Sequence, residues 1–269
     1  MKSVIASLCI DGLKYGHENM YQQRANILID SAIKFTPFDV LMVTNVPEAF
    51  KKHENNKRVI IKDLKTTFPD EPLKICNQFN FGIKRLPIKL CSEMDYDVIN
   101  FNDCDCFYNG WDQESFASML SEKFDVWYLQ YHPEHCIKNK MNNNLYTAMK
   151  QKIEKMGDLI YDKLLLATLP AETRIVFKNN DKLKVMLDYW EKFSKKCVET
   201  NCGTFQENVF FTMSAVHAGM IQHNVNPKFK FAKFCRLIHG HPPLNILDYH
   251  NQVCGKEDNE NTLRQNLGI

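Results

Sequence analysis

The chain has 269 residues, 44% of them hydrophobic, and 34 Lys and Arg set against 32 Asp and Glu leave a net charge of +2. Such a chain can bury a core, which excludes disordered, collagen-like and low-complexity classes, and its charge balance gives no electrostatic reason for nucleic-acid binding. No apolar run approaches the roughly 20 residues that cross a bilayer, so no membrane span is expected. The segment Met1 to Ile10 carries one positive charge and a short apolar stretch ended by Asp11 and Gly12. It reads as a first strand rather than a signal peptide, and the location expected from that is cytoplasmic. Ten cysteines, at 9, 76, 91, 104, 106, 136, 197, 202, 235 and 254, form no Cys-x-x-Cys pair, and they read as reduced thiols rather than a disulfide framework.

In chain order, Val4 to Ile10 is the first strand. Glu18 to Phe35 spaces Met20, Ile27, Leu28, Ala32 and Ile33 as a helix does, and Pro37 stops it. Asp39 to Thr44 and Arg58 to Ile61 are further strands. Phe79 to Cys91 reads as a helix in which Pro87 argues for a kink or an early break. Tyr96 to Phe101 and Phe124 to Leu129 are strands. The Asn- and Lys-rich stretch 138–144 reads as an exposed loop, and a long helix is expected over Leu145 to Leu166. Thr173 to Phe177 is a strand, Lys182 to Phe193 and Phe205 to Met220 are helices, and Phe234 to His239 is a last strand. The tail after Gly255 is polar and reads as mobile. This alternation predicts an α/β fold with a mainly parallel sheet, and no linker divides residues 1–269 into independent domains.

The most informative stretch is Tyr96-Asp97-Val98-Ile99-Asn100-Phe101-Asn102-Asp103-Cys104-Asp105-Cys106. An apolar strand ends in two carboxylates one residue apart, and ligands of open α/β sheets bind beyond the carboxyl ends of strands. Hard oxygen donors suit Mg²⁺ or Mn²⁺, ions that commonly bridge carboxylates and a diphosphate. The residue between the acids can turn away, so that Asp103 and Asp105 act together. The alternative reading is a strand cap or solvated turn.

A helix carrying Lys84-Arg85-Leu86, then an apolar strand ending in Asp103-Cys104-Asp105, resembles the GT-A glycosyltransferases, especially the glycogenin and lipopolysaccharide-galactosyltransferase type. The likeness continues through Thr173 to Lys178 with a helix reaching Trp190, through Gln206-Glu207-Asn208, and through Leu237-Ile238-His239-Gly240. It departs from the family where His241-Pro242-Pro243 stands in place of the usual Lys-Pro.

The resemblance implies a GT-A, Rossmann-like mixed sheet flanked by helices, in one domain. Its nucleotide-sugar half would span about 1–110, its acceptor half about 111–250, and a polar tail 255–269. It implies a metal-dependent transferase using a nucleotide-sugar donor, with a UDP-sugar favoured. Asp103, Asp105 and His239 would hold Mn²⁺ or Mg²⁺, with His241 competing for the third place. Lys84 or Arg85 would add positive charge near the phosphates or the sugar; the alternative for both is a solvated helix face. Ser7, Cys9 and Asp11 would line the nucleoside pocket, and Tyr15 would stack on the base. Glu207 is the candidate for acid/base or sugar-positioning work, and Asp105 is its catalytic companion. Glu207 reads equally as a first-turn acid favoured by the helix dipole.

Asn179 and Asn180 are acceptor contacts or turn formers, and Trp111, Trp127 and Tyr131 are candidates for stacking on a sugar. His132, His135 and Cys136 lack the usual zinc spacing. The likeness leans to retention of the anomeric centre. The acceptor stays open between a glycan, a lipid-linked saccharide, a protein, a small molecule and a nucleic-acid base. The competing readings are a metal-dependent nucleotidyltransferase and a nucleic-acid-directed protein using its Lys/Asn-rich segments 51–58 and 138–152.

Overall fold

The computed structural model describes residues 1–12, 20–130, 170–200, 207–225, 235–238, 264–265 and 267–269. Its elements are β1 (Ser3–Cys9), α1 (Met20–Phe35), β2 (Asp39–Thr44), a 3-10 helix at Pro47–His53, β3 (Val59–Asp63), the single turn α2 (Leu64–Thr67), β4 (Lys74–Ile75), β5 (Gln78–Phe79), a second 3-10 helix at Phe81–Lys84, α3 (Arg85–Ser92), β6 (Val98–Asn102), β7 (Phe107–Trp111), α4 (Gln113–Ser121), β8 (Val126–Gln130), β9 (Pro170–Lys178), α5 (Asp181–Glu199), α6 (Glu207–His217), β10 (Gln222–Val225) and β11 (Cys235–Ile238). Seven strands hydrogen-bond in the order β10-β8-β9-β6-β1-β2-β3. The pairs β1–β2, β2–β3 and β8–β10 are parallel, and β8–β9 is antiparallel. This is the mixed, mainly parallel α/β sheet expected from the sequence. Among the described residues no helix is long and apolar enough to cross a membrane.

The chain divides into two compact units. The first is Met1–Pro69, Asn100–Lys123 and Phe229–Ile269; the second is Asp70–Ile99 and Phe124–Lys228.

In the first unit every residue of β1 is buried, and so is β2 after Asp39. Strands covered on both faces read as continuous apolar runs, which is why Val4–Ile10 and Val40–Thr44 were legible. Helix α1 packs on β1, β2 and β7 through Ala25, Ile27, Leu28, Ile29 and Ala32, none more than 2% exposed. Strand β7 pairs antiparallel with β11. The chain end is docked rather than loose. Leu267 packs with Ile27 and Phe107, Arg264 Nη1 lies 2.5 Å from Asp30 Oδ2, and Lys34 Nζ donates to the carbonyls of Leu267 and Gly268.

The same face of α1 holds His53, 5% exposed, its Nε2 3.0 Å from Asn26 Oδ1 and 3.7 Å from Asp30 Oδ1. Burial drives this imidazole down to about 4, with Asp30 pulling the other way and Lys52 and Arg264 assisting. The unfolded chain protonates such a ring near the ordinary value of about 6.5. Stability is therefore fully present above that value and falls as pH drops towards 4, by up to about 3 kcal/mol. Asp30 titrates lower still. Burial raises its pKa, but hydrogen bonds from Lys52 and Arg264 bring it net below 3.8. Urea unfolding at a series of pH values is expected to show this loss in the wild type and a flatter profile in His53→Gln. Equal slopes in the two proteins would assign the effect elsewhere.

In the second unit, Asp125 joins three segments. Its carboxylate accepts from the Ile221 amide at 2.7 Å, from Lys182 Nζ at 2.7 Å and from Asn180 Nδ2 at 2.9 Å. Burial raises its pKa, but those bonds hold it net below the usual carboxylate value. The β4–β5 hairpin turns through Cys76 and Asn77, both with positive φ (50° and 62°), the conformation a two-residue hairpin turn needs.

The helix expected over Phe79 to Cys91 begins later, at Arg85. Pro87 lies in its first turn, where amides have no intrahelical partner, so it starts the helix instead of kinking it. Asn80 closes the preceding 3-10 turn by accepting from Gly82 N at 3.0 Å. A Cβ on Gly82 would lie 2.8 Å from Ser194 Cβ and 2.9 Å from Asn80 Oδ1. Gly82→Ala is expected to cost about 1–3 kcal/mol by overpacking, read as a lowered urea midpoint at unchanged slope.

Candidate functional site

Strand β6 is buried along its length and delivers the chain to Asp103. The following turn is closed by Cys106 N donating to Asp103 O at 3.1 Å. Cys104 and Cys106 are 8% and 1% exposed, whereas Asp103 and Asp105 are half-buried. The two thiols turn inward, and both acids stay within reach of solvent. Cys104 hydrogen-bonds with Cys9. That bond, burial and the charges of Cys9, Asp105 and Asp103 push its thiol well above the ordinary range. Cys9, itself fully buried, thus supports the acidic turn from behind.

The strand end is held by a polar network within the core. Ser7 Oγ donates to Asn102 O at 2.8 Å, and Tyr108 OH donates to Asn102 Oδ1 at 2.7 Å. The Tyr108 amide donates to Ser31 Oγ at 3.0 Å, and Asn100 Nδ2 donates to Val4 O at 3.3 Å. Ser7, fully buried, fixes the backbone that presents Asp103. Asp11, 6% exposed, exchanges two hydrogen bonds with the Asn45 side chain at 2.9 and 3.0 Å. Its carboxylate accepts from Gly12 N at 2.8 Å and from Gln22 N at 3.4 Å, so it caps the first turn of α1.

A cation absent from the sequence reading stands beside the acids. Arg24 of α1 places Nη1 3.7 Å from Asp105 Oδ2, with the two side chains 14% and 15% exposed. Arg24 Nε is buried and has no hydrogen-bond partner among the described residues. One basic residue on an amphipathic helix carries no signal by itself. The relation exists only because α1 packs on the first-unit strands.

Arg85 belongs to the second unit and is 1% exposed. Its guanidinium pairs with Glu71 and donates from Nη1 to Gly82 O at 2.9 Å. Lys84 is half-buried, with Nζ 5.9 Å from the centre of the Phe81 ring. Glu207 is the first residue of α6; its side chain lies outside the described residues.

Asn179 donates to the carbonyls of Ser92 and Tyr96, and Asn180 caps α5 by accepting from Leu183 N at 3.1 Å. Both therefore close a turn. Trp127 is 2% exposed, and Trp111 packs edge-on against Phe38 at 4.5 Å. Tyr15, Tyr131, the 132–136 cluster, the 138–144 loop, the 145–166 helix, His239 and His241 lie outside the described residues.

Among the described residues no group of three or more His, Cys, Asp or Glu side chains converges on a metal position. Asp103 and Asp105 nonetheless offer what a hard divalent ion takes. They are two carboxylates beyond a buried strand, the hard oxygen donors such an ion prefers.

No family model matches the chain, and no curated protein matches it. Solved structures do. The galactosyltransferase LgtC, crystallised with donor and acceptor sugar analogs, aligns over 84% of this chain and 74% of its own, at 11% identity and a TM-score of 0.46. The mannosyltransferase Ktr4p of S. cerevisiae aligns over 88% of this chain and 70% of its own, at 10% identity and a TM-score of 0.47. Core-mannan synthase A of Aspergillus fumigatus, in its Mn/GDP form, aligns over 89% of this chain and 74% of its own, at 9% identity and a TM-score of 0.48.

Proposed function

We propose that the chain is a glycosyltransferase that moves a sugar from a nucleotide-sugar, a UDP-sugar in the first instance, to an acceptor. The observation that carries this reading is the Asp103-Cys104-Asp105 turn. Two half-buried carboxylates are presented beyond a fully buried strand, and the groups behind them are fixed by hydrogen bonds. That rigidity is what a preorganised charge site requires, because donors already in place need no reorganisation during reaction.

Asp103 and Asp105 hold the divalent ion, Mn²⁺ or Mg²⁺. His239, which the sequence resemblance offers as the third ligand, lies outside the described residues. When bound, the ion supplies Lewis-acid charge for the departing diphosphate. The protein's own part is positional. Ser7 and Tyr108 fix the end of β6, Cys9 backs the turn, and the Asp11–Asn45 pair fixes the chain leaving β1.

Thermal unfolding with uridine diphosphate tests the binding step. Ligand at about 100 times its Kd adds about 2.7 kcal/mol, or roughly 5–10 °C for a chain of this size. The shift is expected with Mn²⁺ and absent with chelator. No shift with any nucleoside diphosphate in either condition would remove the proposal.

A further inference from the structure

We infer that Arg24 makes divalent-ion binding conditional on the nucleotide diphosphate. It opposes a free ion at Asp105 and then shares the diphosphate's charge with the bound ion. This rests on Asp103 and Asp105 being the metal carboxylates.

Three observations lead to it. Arg24 Nη1 stands 3.7 Å from Asp105 Oδ2, close enough for charge to act yet beyond the roughly 2.7–2.9 Å of a charge-assisted hydrogen bond. The two groups attract without locking together. The guanidinium is largely withdrawn from solvent, with its side chain 14% exposed, so water screens it weakly. Its Nε is buried with no hydrogen-bond partner among the described residues, and a buried donor left unmade on a charged group is costly unless something else accepts from it.

A planar guanidinium set beside two metal-type carboxylates presents the donor geometry that matches the oxygens of a diphosphate. The fixed positive charge has two consequences. It repels a divalent ion arriving alone at Asp105, and it attracts the net negative charge that a diphosphate brings. The ion and the nucleotide therefore bind more tightly together than apart. By linkage, the factor by which the nucleotide tightens the ion equals the factor by which the ion tightens the nucleotide.

The test counts free Mn²⁺ by electron paramagnetic resonance, with and without uridine diphosphate, in the wild type, Arg24→Gln, Arg24→Lys and Asp105→Asn. In the wild type, nucleotide is expected to tighten Mn²⁺ binding about tenfold, within the usual range for coupled sites. Arg24→Gln is expected to bind Mn²⁺ alone more tightly and to lose most of that tightening. Arg24→Lys keeps the charge without the fork. It should retain weak binding of the lone ion and recover the coupling only in part, and it carries the test if the glutamine variant fails to fold. Equal coupling in the wild type and Arg24→Gln, with Asp105→Asn unable to bind Mn²⁺ and nucleotide together, would overturn the role of Arg24 and leave the metal carboxylates standing. No Mn²⁺ binding by the wild type under either condition would overturn both.

Discussion

Asp103→Asn and Asp105→Asn are each expected to lower nucleotide-sugar turnover about 10²- to 10³-fold, the order seen when one preorganised charge-stabilising group is removed. Asparagine keeps the size of the side chain and removes its charge. Both acids are half-buried, and neither forms part of the Cys9–Cys104 contact or the Ser7–Asn102–Tyr108 network that builds the strand end. The fold should survive. Asp105→Asn also removes the charge that faces Arg24, but at 3.7 Å the pair is longer than a charge-assisted hydrogen bond, so the loss of stability is expected to be small beside the loss of turnover. The check pairs steady-state turnover with thermal unfolding. Lost activity at nearly unchanged melting temperature is the expected pattern, and near-normal turnover in either variant would sink the metal-carboxylate reading.

The second large effect concerns stability. Glu71→Ala is expected to cost about 3 kcal/mol, near the lower end of what removing one partner of a buried ion pair costs. Arg85 is 1% exposed and its partner Glu71 15%. Without Glu71, the Arg85 guanidinium keeps its hydrogen bond to the Gly82 carbonyl and the charge of Glu191. Among the described residues its Nε has no hydrogen-bond partner. A poorly compensated cation in the interior is the costly species, whereas a well-packed apolar replacement of both groups is close to neutral. The double change Glu71→Leu with Arg85→Met should therefore recover much of the loss. Chemical unfolding checks both, with a shifted midpoint at constant slope marking a true stability change. An unchanged midpoint in Glu71→Ala would show that the pair holds nothing together.

The two cases show what a sequence can carry and what it cannot. The acidic turn was legible because Val98, Ile99 and Phe101 mark a strand that leads within two residues to paired acids, and both facts are local. Strands β1 and β2 were legible for the same reason. Strand β7 was hidden because Asn109-Gly110 reads as a turn, yet its residues pair with β11, far away in the chain. Strand β10 was hidden by its polar composition, Gln222-His223-Asn224-Val225.

Helix α4 left a usable signal. Asp112 caps it by accepting from Ser115 N at 3.0 Å, and Phe116, Met119 and Leu120 follow with helical spacing. Arg85 reads as a cation for the donor's phosphates or sugar because it stands on a helix preceding the acidic strand. Its burial depends on Glu71, which only the tertiary fold brings to it. Arg24 and Asp105 are 81 positions apart in the numbering, and nothing local links them. In the polar tail Leu267 and Ile269 pack against Ile27 and Phe107, while Asp30 and Lys34 bind the residues around them.

The most direct measurement is the product released from a panel of nucleotide-sugars by the purified chain with Mn²⁺, with Mg²⁺ and with chelator. Slow release of the nucleoside diphosphate from one donor is expected, dependent on the ion and lost in Asp103→Asn. Release that persists in chelator, or pyrophosphate or a nucleoside monophosphate as the product, would contradict a metal-assisted glycosyl transfer centred on Asp103 and Asp105.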